Sequence, residues 1–367
     1  MPLDQNRSLV ICVAEDRKSC ETGLQVLLMS LCRFSSNVRI VVFYPAADES
    51  FLNWARELSS EKIDVRPTPV KGAYGWNVKP QALLQLLNEG HQEVLWIDSD
   101  VVTTKDVFPL FSNLDHRVFV VTEEALVGQN EKDALRARQW GFVVRRKLPF
   151  PLNTGVLRVT HEHIPLLERW KGILESSDYK QVQTKSWDQR PVHMISDQDV
   201  LTALLSSEEF YTIPIKILRR GRDIIQYFGT SGFTLAERLI CIPRGIPTFI
   251  HSQVWKPWLA HTEPAPINSR TKLEAVYRDL SPYILTARSL DPLLTDSWTR
   301  PRFRASSAFR RLGFGYAPLV GLPIATRFDL QRFFWAAKSL IKKLIIRIYP
   351  DAVDYLQSRR GRGKAQS

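Results

Sequence analysis

Between Ser8 and Ile97 short apolar runs alternate with stretches of helical periodicity, and this alternation limits the folds open to the chain. Ser8–Ala14, Val38–Tyr44, Lys62–Pro67 and Val94–Ile97 are rich in β-branched residues and read as strands. Between them Glu21–Cys32, Phe51–Leu58 and Lys79–Glu89 read as helices. Pro80 is tolerated in a first helical turn, and Gly90 closes the third helix. Strand, helix, strand in this order predicts βαβ units with right-handed crossovers and a largely parallel sheet. Further along, Val118–Thr122 and Thr248–His251 read as strands, as does Gly155–Val159, entered through Asn153-Thr154-Gly155. Glu131–Trp140, Ile164–Ser176 and Asp197–Leu205 read as helices.

Ligands of such sheets bind beyond the carboxyl ends of the strands. Val94–Ile97 runs at its carboxyl end into Asp98-Ser99-Asp100, then continues as Val101-Val102. Aspartates are poor strand residues and are rarely buried alone. Two of them at i, i+2 on a strand end suit a hard divalent cation that keeps sites open for phosphate oxygens. The plainer alternative is a polar turn that caps the next element.

The chain of 367 residues has ordinary globular composition, with 44% hydrophobic and 24% charged residues. Its net charge of +12 is localised: residues 300–367 carry 15 Lys or Arg against 3 Asp or Glu, so residues 1–299 are neutral in sum. A neutral body with a basic end points to a docking segment for an anionic surface. Cys12, Cys20, Cys32 and Cys241 have no paired spacing and read as reduced thiols of a cytoplasmic protein. No signal-peptide core and no apolar run of membrane-spanning length is present.

Four motifs recur in a meaningful order: Asp98-Ser99-Asp100 at a strand end, Asn153-Thr154-Gly155-Val156-Leu157, Asp197-Gln198-Asp199, and His251 followed by Lys256-Pro257-Trp258. Over roughly residues 8–260 the chain resembles the GT-A glycosyltransferases, most closely the retaining family of bacterial lipopolysaccharide galactosyl- and glucosyltransferases and glycogenin. The resemblance implies an α/β, Rossmann-like fold with a mixed, mostly parallel central sheet and flanking helices. It implies transfer of a sugar from a nucleotide-diphosphate sugar, by analogy a UDP-sugar, to a hydroxyl acceptor. Asp98, Asp100 and His251 would hold Mn²⁺ or Mg²⁺, the imidazole favouring Mn²⁺. Asp98 would also lie near the ribose, and Lys256 would reach the leaving diphosphate. Lys79 and Asn153 would touch the donor sugar, while Ala14 and Glu15 would line the base pocket. Asp197 would bind sugar hydroxyls, and Gln198 would lie beside the reacting carbon opposite the leaving group. A glutamine is a poor nucleophile, which fits retention without a covalent intermediate. The chain departs from the family where four residues, none of them glycine, separate His251 from Lys256 and Val254 stands at the turn.

Plainer readings exist for each residue. Asp197 and Asp199 suit the first turn of a helix capped by Ser196. Asn153 suits a turn, His251 a satisfied interior histidine, and Trp258 an aromatic plug.

Composition shifts near residue 260, which divides the chain into a 1–260 transferase domain and a 261–367 basic extension. Within the extension residues 329–349 form a helical pattern. At ~100° per residue, Phe333, Phe334, Leu340, Ile341, Leu344, Ile345 and Ile348 share an arc of roughly 140°, with Arg332, Lys338, Lys342, Lys343 and Arg347 opposite. This pattern describes a helix in the plane of an anionic membrane, with peripheral attachment at its cytoplasmic face and access to a lipid-linked or glycan acceptor; the plainer alternative is a helix packed on the protein body with solvated lysines. Residues 357–367 read as disordered. A nucleotidyltransferase is the alternative enzyme, although Ala14-Glu15-Asp16-Arg17-Lys18 lacks the glycine-rich loop that class needs. A nucleic-acid-binding protein, suggested by arginines interleaved with Phe303 and Phe309, leaves Asp98-Ser99-Asp100 unexplained.

Overall fold

The computed structural model describes residues 9–35, 38–73, 75–124, 134–226 and 232–262, followed by 281–295 and isolated positions as far as 338. Among the described residues ten strands carry the fold: β1 (Leu9–Ala14), β2 (Arg39–Phe43), β3 (Ile63–Arg66), β4 (Glu93–Ile97), β5 (Val101–Thr103), β6 (Phe119–Glu123), β7 (Leu152–Thr160), β8 (Ile215–Leu218), β9 (Ile224–Gln226) and β10 (Phe249–His251). Seven form a large sheet in the order β3-β2-β1-β4-β7-β6-β8, and β5-β10-β9 form a small one. In the large sheet only the two ladders of β7 are antiparallel. The architecture is the expected α/β one, with a mixed, mostly parallel sheet between helices.

Helices α1 (Glu21–Phe34), α2 (Glu49–Ser59), α3 (Val78–Asn88), α4 (Leu135–Gln139), α5 (Ile164–Leu174), α6 (Ser177–Gln183), α7 (Asp197–Ser206) and α8 (Leu235–Arg244) follow the strands. Successive residues of a strand face opposite sides, so the near-continuous apolar runs feed two cores. Val10, Cys12, Val94 and Trp96 pack with leucines of α3, α5 and α7. Leu9, Ile11, Val13, Leu95 and Ile97 pack with those of α1 and with Phe51 of α2. Arg158 on β7 is fully buried, yet its Nε donates to Glu93 of β4 at 2.7 Å and its Nη1 to the carbonyls of Asp115 and Val118. This pair ties the reversed strand to its neighbour.

A third core continues past residue 260. Helix α9 (Pro282–Leu290) is capped by Ser281, and it packs Tyr283, Ile284 and Ala287 with Trp255, Trp258 and Val26. The Trp258 ring lies directly on the α-carbon of Gly23 in α1, so this tryptophan is a plug.

Several elements differ from the sequence expectation. Strand β7 begins at Leu152, three residues early, because Leu152 and Asn153 pair with Glu123 and Thr122 of β6. Asn153 and Thr154 are therefore inside a strand and not in a turn. The helix expected over 131–140 appears as α4, with 131–133 outside the described residues. Helices α6 and α8 and strands β8 and β9 were not anticipated, since Ile215–Leu218 and Ile224–Gln226 are short and flanked by arginines. The amphipathic pattern at 329–349, the basic segment 300–367 and the end 357–367 lie outside the described residues, isolated positions apart. Among the described residues no helix is long and apolar enough to cross a membrane. All four cysteines are free thiols.

Candidate active site

The chain leaves the large sheet at Ile97 and enters the small one at Val101, and Asp98-Ser99-Asp100 forms the turn between them. The Asp98 amide donates to the Gly155 carbonyl at 2.9 Å, and the Val101 amide closes the turn on the Asp98 carbonyl at 3.0 Å. Strand β10 runs antiparallel to β5 with His251 opposite Val101, and the Ser252 amide donates to the Asp100 carbonyl at 2.9 Å. Backbone pairing alone thus delivers the histidine to the aspartates.

His251 Nε2 lies 3.2 Å from Asp100 Oδ1 and 3.9 Å from Asp98 Oδ2. One ligand atom from each of the three falls within 4.8 Å of the others. Around a cation with ~2.1 Å bonds, neighbouring octahedral ligands are ~3.0 Å apart and opposite ones ~4.2 Å. The two separations from His251, 3.2 and 3.9 Å, fall within that span, and the trio's oxygen and imidazole donors suit Mn²⁺ or Mg²⁺. Gly155 makes room for the ring: a Cβ there would stand 2.7 Å from His251 Cε1 and Nδ1. Trp96 Nε1 donates to Asp98 Oδ1 at 2.7 Å and orients that carboxylate.

Two lysines flank the trio. Lys256 Nζ pairs with Asp100 Oδ2 and donates to the Ser252 carbonyl at 2.9 Å. Burial pushes the Asp100 carboxyl up, but Lys256 and His251 outweigh it and hold it well below the usual carboxylate range. Lys79 sits in the first turn of α3, with Nζ 3.0 Å from Asp98 Oδ1, 2.8 Å from Thr154 Oγ1 and 3.7 Å from Asp197 Oδ2. Burial opposes the Lys79 charge, but Asp197 and Asp98 outweigh it and raise its pKa. The ammonium stands nearer Asp98, and at Asp197 burial prevails, so that carboxyl titrates above its ordinary value.

Helix α7 starts at a capping box in which Asp199 accepts from the Ser196 amide at 3.0 Å and from its hydroxyl at 2.8 Å. Asp199 also meets the buried Arg136 at 2.7 Å, so the third residue of Asp-Gln-Asp serves the fold. Asp197 accepts from Thr154 Oγ1 at 2.9 Å, and its carbonyl from Trp170 Nε1 at 3.0 Å. Asn153 Nδ2 donates to Gln198 Oε1 at 3.1 Å.

The trio, the two lysines, Asn153, Thr154, Asp197 and Gln198 face one cavity of about 580 Å³, within the range of small-ligand sites. Ala14, Glu15, Lys79, Asp98, Asp100, Asn153, Asp197, Gln198, His251 and Lys256, the residues singled out in the sequence, all line it. Glu15 is buried and engaged: it accepts from Arg17 Nε at 2.8 Å and from Ser99 Oγ at 2.5 Å. Its carboxylate thereby supports the Asp98-Ser99-Asp100 turn and places the exposed Arg17 on the cavity wall. The His251–Lys256 connection turns at Val254, whose φ of +62° lies in the left-handed region that β-branched residues avoid.

Other cavity residues escaped the sequence reading. Thr154 and Ser99 sat inside recognised motifs without being assigned roles. Trp76 and Trp187 line the cavity while 40% and 50% exposed, and only their positions near α3 and α7 hinted at this. Glu124, just past β6 and behind the cavity wall, carried no signal either, being one acidic residue after a strand.

No known family model matches the chain, and no curated protein matches it in sequence. Solved structures of similar fold include a glycosyltransferase involved in glycosylation of the major capsid of PBCV-1, with 12% identity over 68% of this chain and 94% of that one and a TM-score of 0.39. The apo structure of the bifunctional glycosyltransferase WbbM has 13% identity over 80% of this chain and 52% of that one, with a TM-score of 0.47. Mouse xyloside xylosyltransferase 1 has 16% identity over 67% of this chain and 96% of that one, with a TM-score of 0.42.

Proposed function

We propose that the protein is a metal-dependent GT-A glycosyltransferase that moves a sugar from a nucleotide-diphosphate sugar to a hydroxyl acceptor with retention of configuration. The observation that supports it best is the convergence of Asp98, Asp100 and His251 with Lys79, Lys256 and Asp197-Gln198 on one cavity. A bound Mn²⁺ or Mg²⁺ would neutralise the diphosphate and stabilise its departure.

The chain's own residues do the rest. Lys256 offers a point charge to the leaving diphosphate once drawn from Asp100. Lys79, fixed by Asp98 and Thr154, holds the donor's sugar-phosphate junction. The Asp197 carboxylate accepts from sugar hydroxyls and orients the ring. Gln198 presents a neutral amide to the face opposite the leaving group, where it cannot form a stable ester. The bond from the anomeric carbon to phosphate oxygen breaks, the acceptor oxygen bonds to that carbon on the same face, and its proton passes to the departing diphosphate. Ala14, Glu15 and Arg17 form the base end, with a UDP-sugar as the donor by analogy.

Trp76 and Trp187 favour a glycan acceptor, since half-exposed indoles beside amides and carboxylates stack on the apolar face of a sugar ring. Residues 300–367 carry the whole net charge, which supports attachment to an anionic membrane surface on its cytoplasmic side. Equal recovery of full-length protein and residues 1–305 on anionic vesicles would remove the membrane part.

The decisive experiment is a thermal-shift panel of nucleotide-sugars with and without Mn²⁺, followed by NMR of the product's anomeric configuration. Stabilisation that needs both metal and donor is expected. Indifference to every nucleotide-sugar overturns the reading, and an inverted product overturns retention.

A further inference from the structure

Glu124 is a buried carboxylate immediately after β6, 4% exposed, behind the wall formed by Asn153, Gln198 and Gln253. A single oxygen, Oε2, accepts from three side-chain amides: Gln198 Nε2 at 2.6 Å, Asn153 Nδ2 at 3.0 Å and Gln253 Nε2 at 3.3 Å. These amides come from three separate parts of the chain. Gln198 is in the first turn of α7, Asn153 is in β7, and Gln253 is in the connection between His251 and Lys256.

An ionised carboxylate only accepts hydrogen bonds, whereas an amide both donates and accepts and can turn over in place. Placed against Glu124, each amide must present its nitrogen inward. The rest of the network agrees with that orientation. Asn153 Oδ1 accepts from the Gly155 amide at 2.8 Å, and Gln198 Oε1 accepts from Asn153 Nδ2 at 3.1 Å. The Gln198 carbonyl retains a second lone pair, and Gln198 lines the cavity.

We propose that Glu124 is the positioning residue of this site: its carboxylate fixes the amide of Gln198 so that a carbonyl oxygen, and not an N–H, faces the reacting carbon, and through Gln253 it ties that amide to the metal-and-diphosphate loop. The inference rests on the glycosyltransferase reading. Glycosyl transfer builds positive charge on the anomeric carbon. A carbonyl dipole polarised by a charged acceptor stabilises that charge, and an amide N–H in its place repels it. The benefit belongs to the transition state, so Glu124 acts on kcat and leaves donor binding alone.

Glu124→Gln preserves size but can donate as well as accept, and so releases the orientation. In the unaltered full-length protein with Mn²⁺ and its donor, transfer and donor KM provide the reference. For E124Q the expected result is a kcat about 10- to 100-fold lower, with much smaller changes in donor KM and Mn²⁺ affinity and a folded protein of modestly lower melting temperature. Glu124→Asp, which keeps the charge, is expected to recover part of the loss. Side-chain amide ¹⁵N signals of Gln198, Asn153 and Gln253 are expected to move together in E124Q without any substrate. An unaltered kcat, or a raised donor KM at constant kcat, overturns the inference while the unaltered enzyme still transfers sugar. If the unaltered protein ignores nucleotide-sugars, the functional reading falls first.

Discussion

The His251 imidazole packs so close to the α-carbon of Gly155 that no side chain fits between them, so the strand that carries Asn153 and Thr154 also forms the back wall of the Asp98, Asp100 and His251 trio. Glycine is needed for closeness here and not for turning, because Gly155 keeps an ordinary extended backbone within β7. Gly155→Ala would place a methyl 2.7 Å from the ring and 2.9 Å from Asn153 Oδ1. Overpacking of this kind costs about 1–3 kcal/mol. The expected outcome is a modest loss of stability with at least about tenfold weaker Mn²⁺ binding, read by calorimetric titration. Unchanged Mn²⁺ affinity would separate the ring's position from metal binding.

Asp100 is shared between the cation trio and Lys256. Asp100→Asn removes a carboxylate charge and leaves Lys256 without its ion-pair partner. Transfer is expected to fall by roughly 100-fold or more, and Mn²⁺-dependent thermal stabilisation to vanish. A chelator should reproduce the loss in the unaltered protein, and added Mn²⁺ should reverse it. Turnover by D100N at the normal rate in chelator would remove the metal role.

Val254 is 74% exposed and has a left-handed backbone. Such a conformation costs a non-glycine residue about 1–3 kcal/mol. Glycine gives back part of that through unfolded-state entropy, about 0.5–1 kcal/mol. Val254→Gly is expected to stabilise the fold by about 1 kcal/mol in chemical denaturation. A loss of stability would show that the side chain, not the backbone, governs this turn.

His163 is one source of acid lability away from the site. Its Nδ1 accepts from the Thr160 amide at 2.9 Å, and its Nε2–H donates to the Arg117 carbonyl at 3.1 Å. A second ring proton would point at the Thr160 N–H. Burial pushes this histidine down from 6.5 to about 4, against the smaller raising effect of its backbone bonds. The folded state therefore binds fewer protons than the unfolded one. The stabilisation is fully present above pH 6.5 and is lost as pH falls toward 4, to a total of roughly 3 kcal/mol. Denaturation curves between pH 7 and pH 4 should show that slope, and His163→Gln should flatten it. An equal slope in H163Q would assign acid lability to other groups.

Trp187 lines the cavity with half its surface in solvent. Trp187→Ala is expected to raise the acceptor KM about tenfold while leaving donor hydrolysis unchanged, as loss of a stacking face would. An unchanged acceptor KM with a raised donor KM would move this tryptophan to the nucleotide end.

Much of this molecule was legible because hydrophobic periodicity is a local property. The runs at Ser8–Ala14, Val38–Tyr44 and Val94–Ile97 announced a parallel sheet, and Asp98-Ser99-Asp100 stood out because acids rarely end such a run without a partner. What no stretch of sequence could state is adjacency. His251 meets Asp100 because β10 pairs with β5 in one register, across about 150 residues of chain. Reversal of β7 draws Asn153 and Thr154 into a strand beside α7, and a lone glutamate after β6 gathers three amides. Those relations depend on strand register and on long-range burial of polar groups, which are settled by the whole sheet closing at once. Periodicity thus chose the elements, and the packing of the two sheets chose which side chains share the cavity.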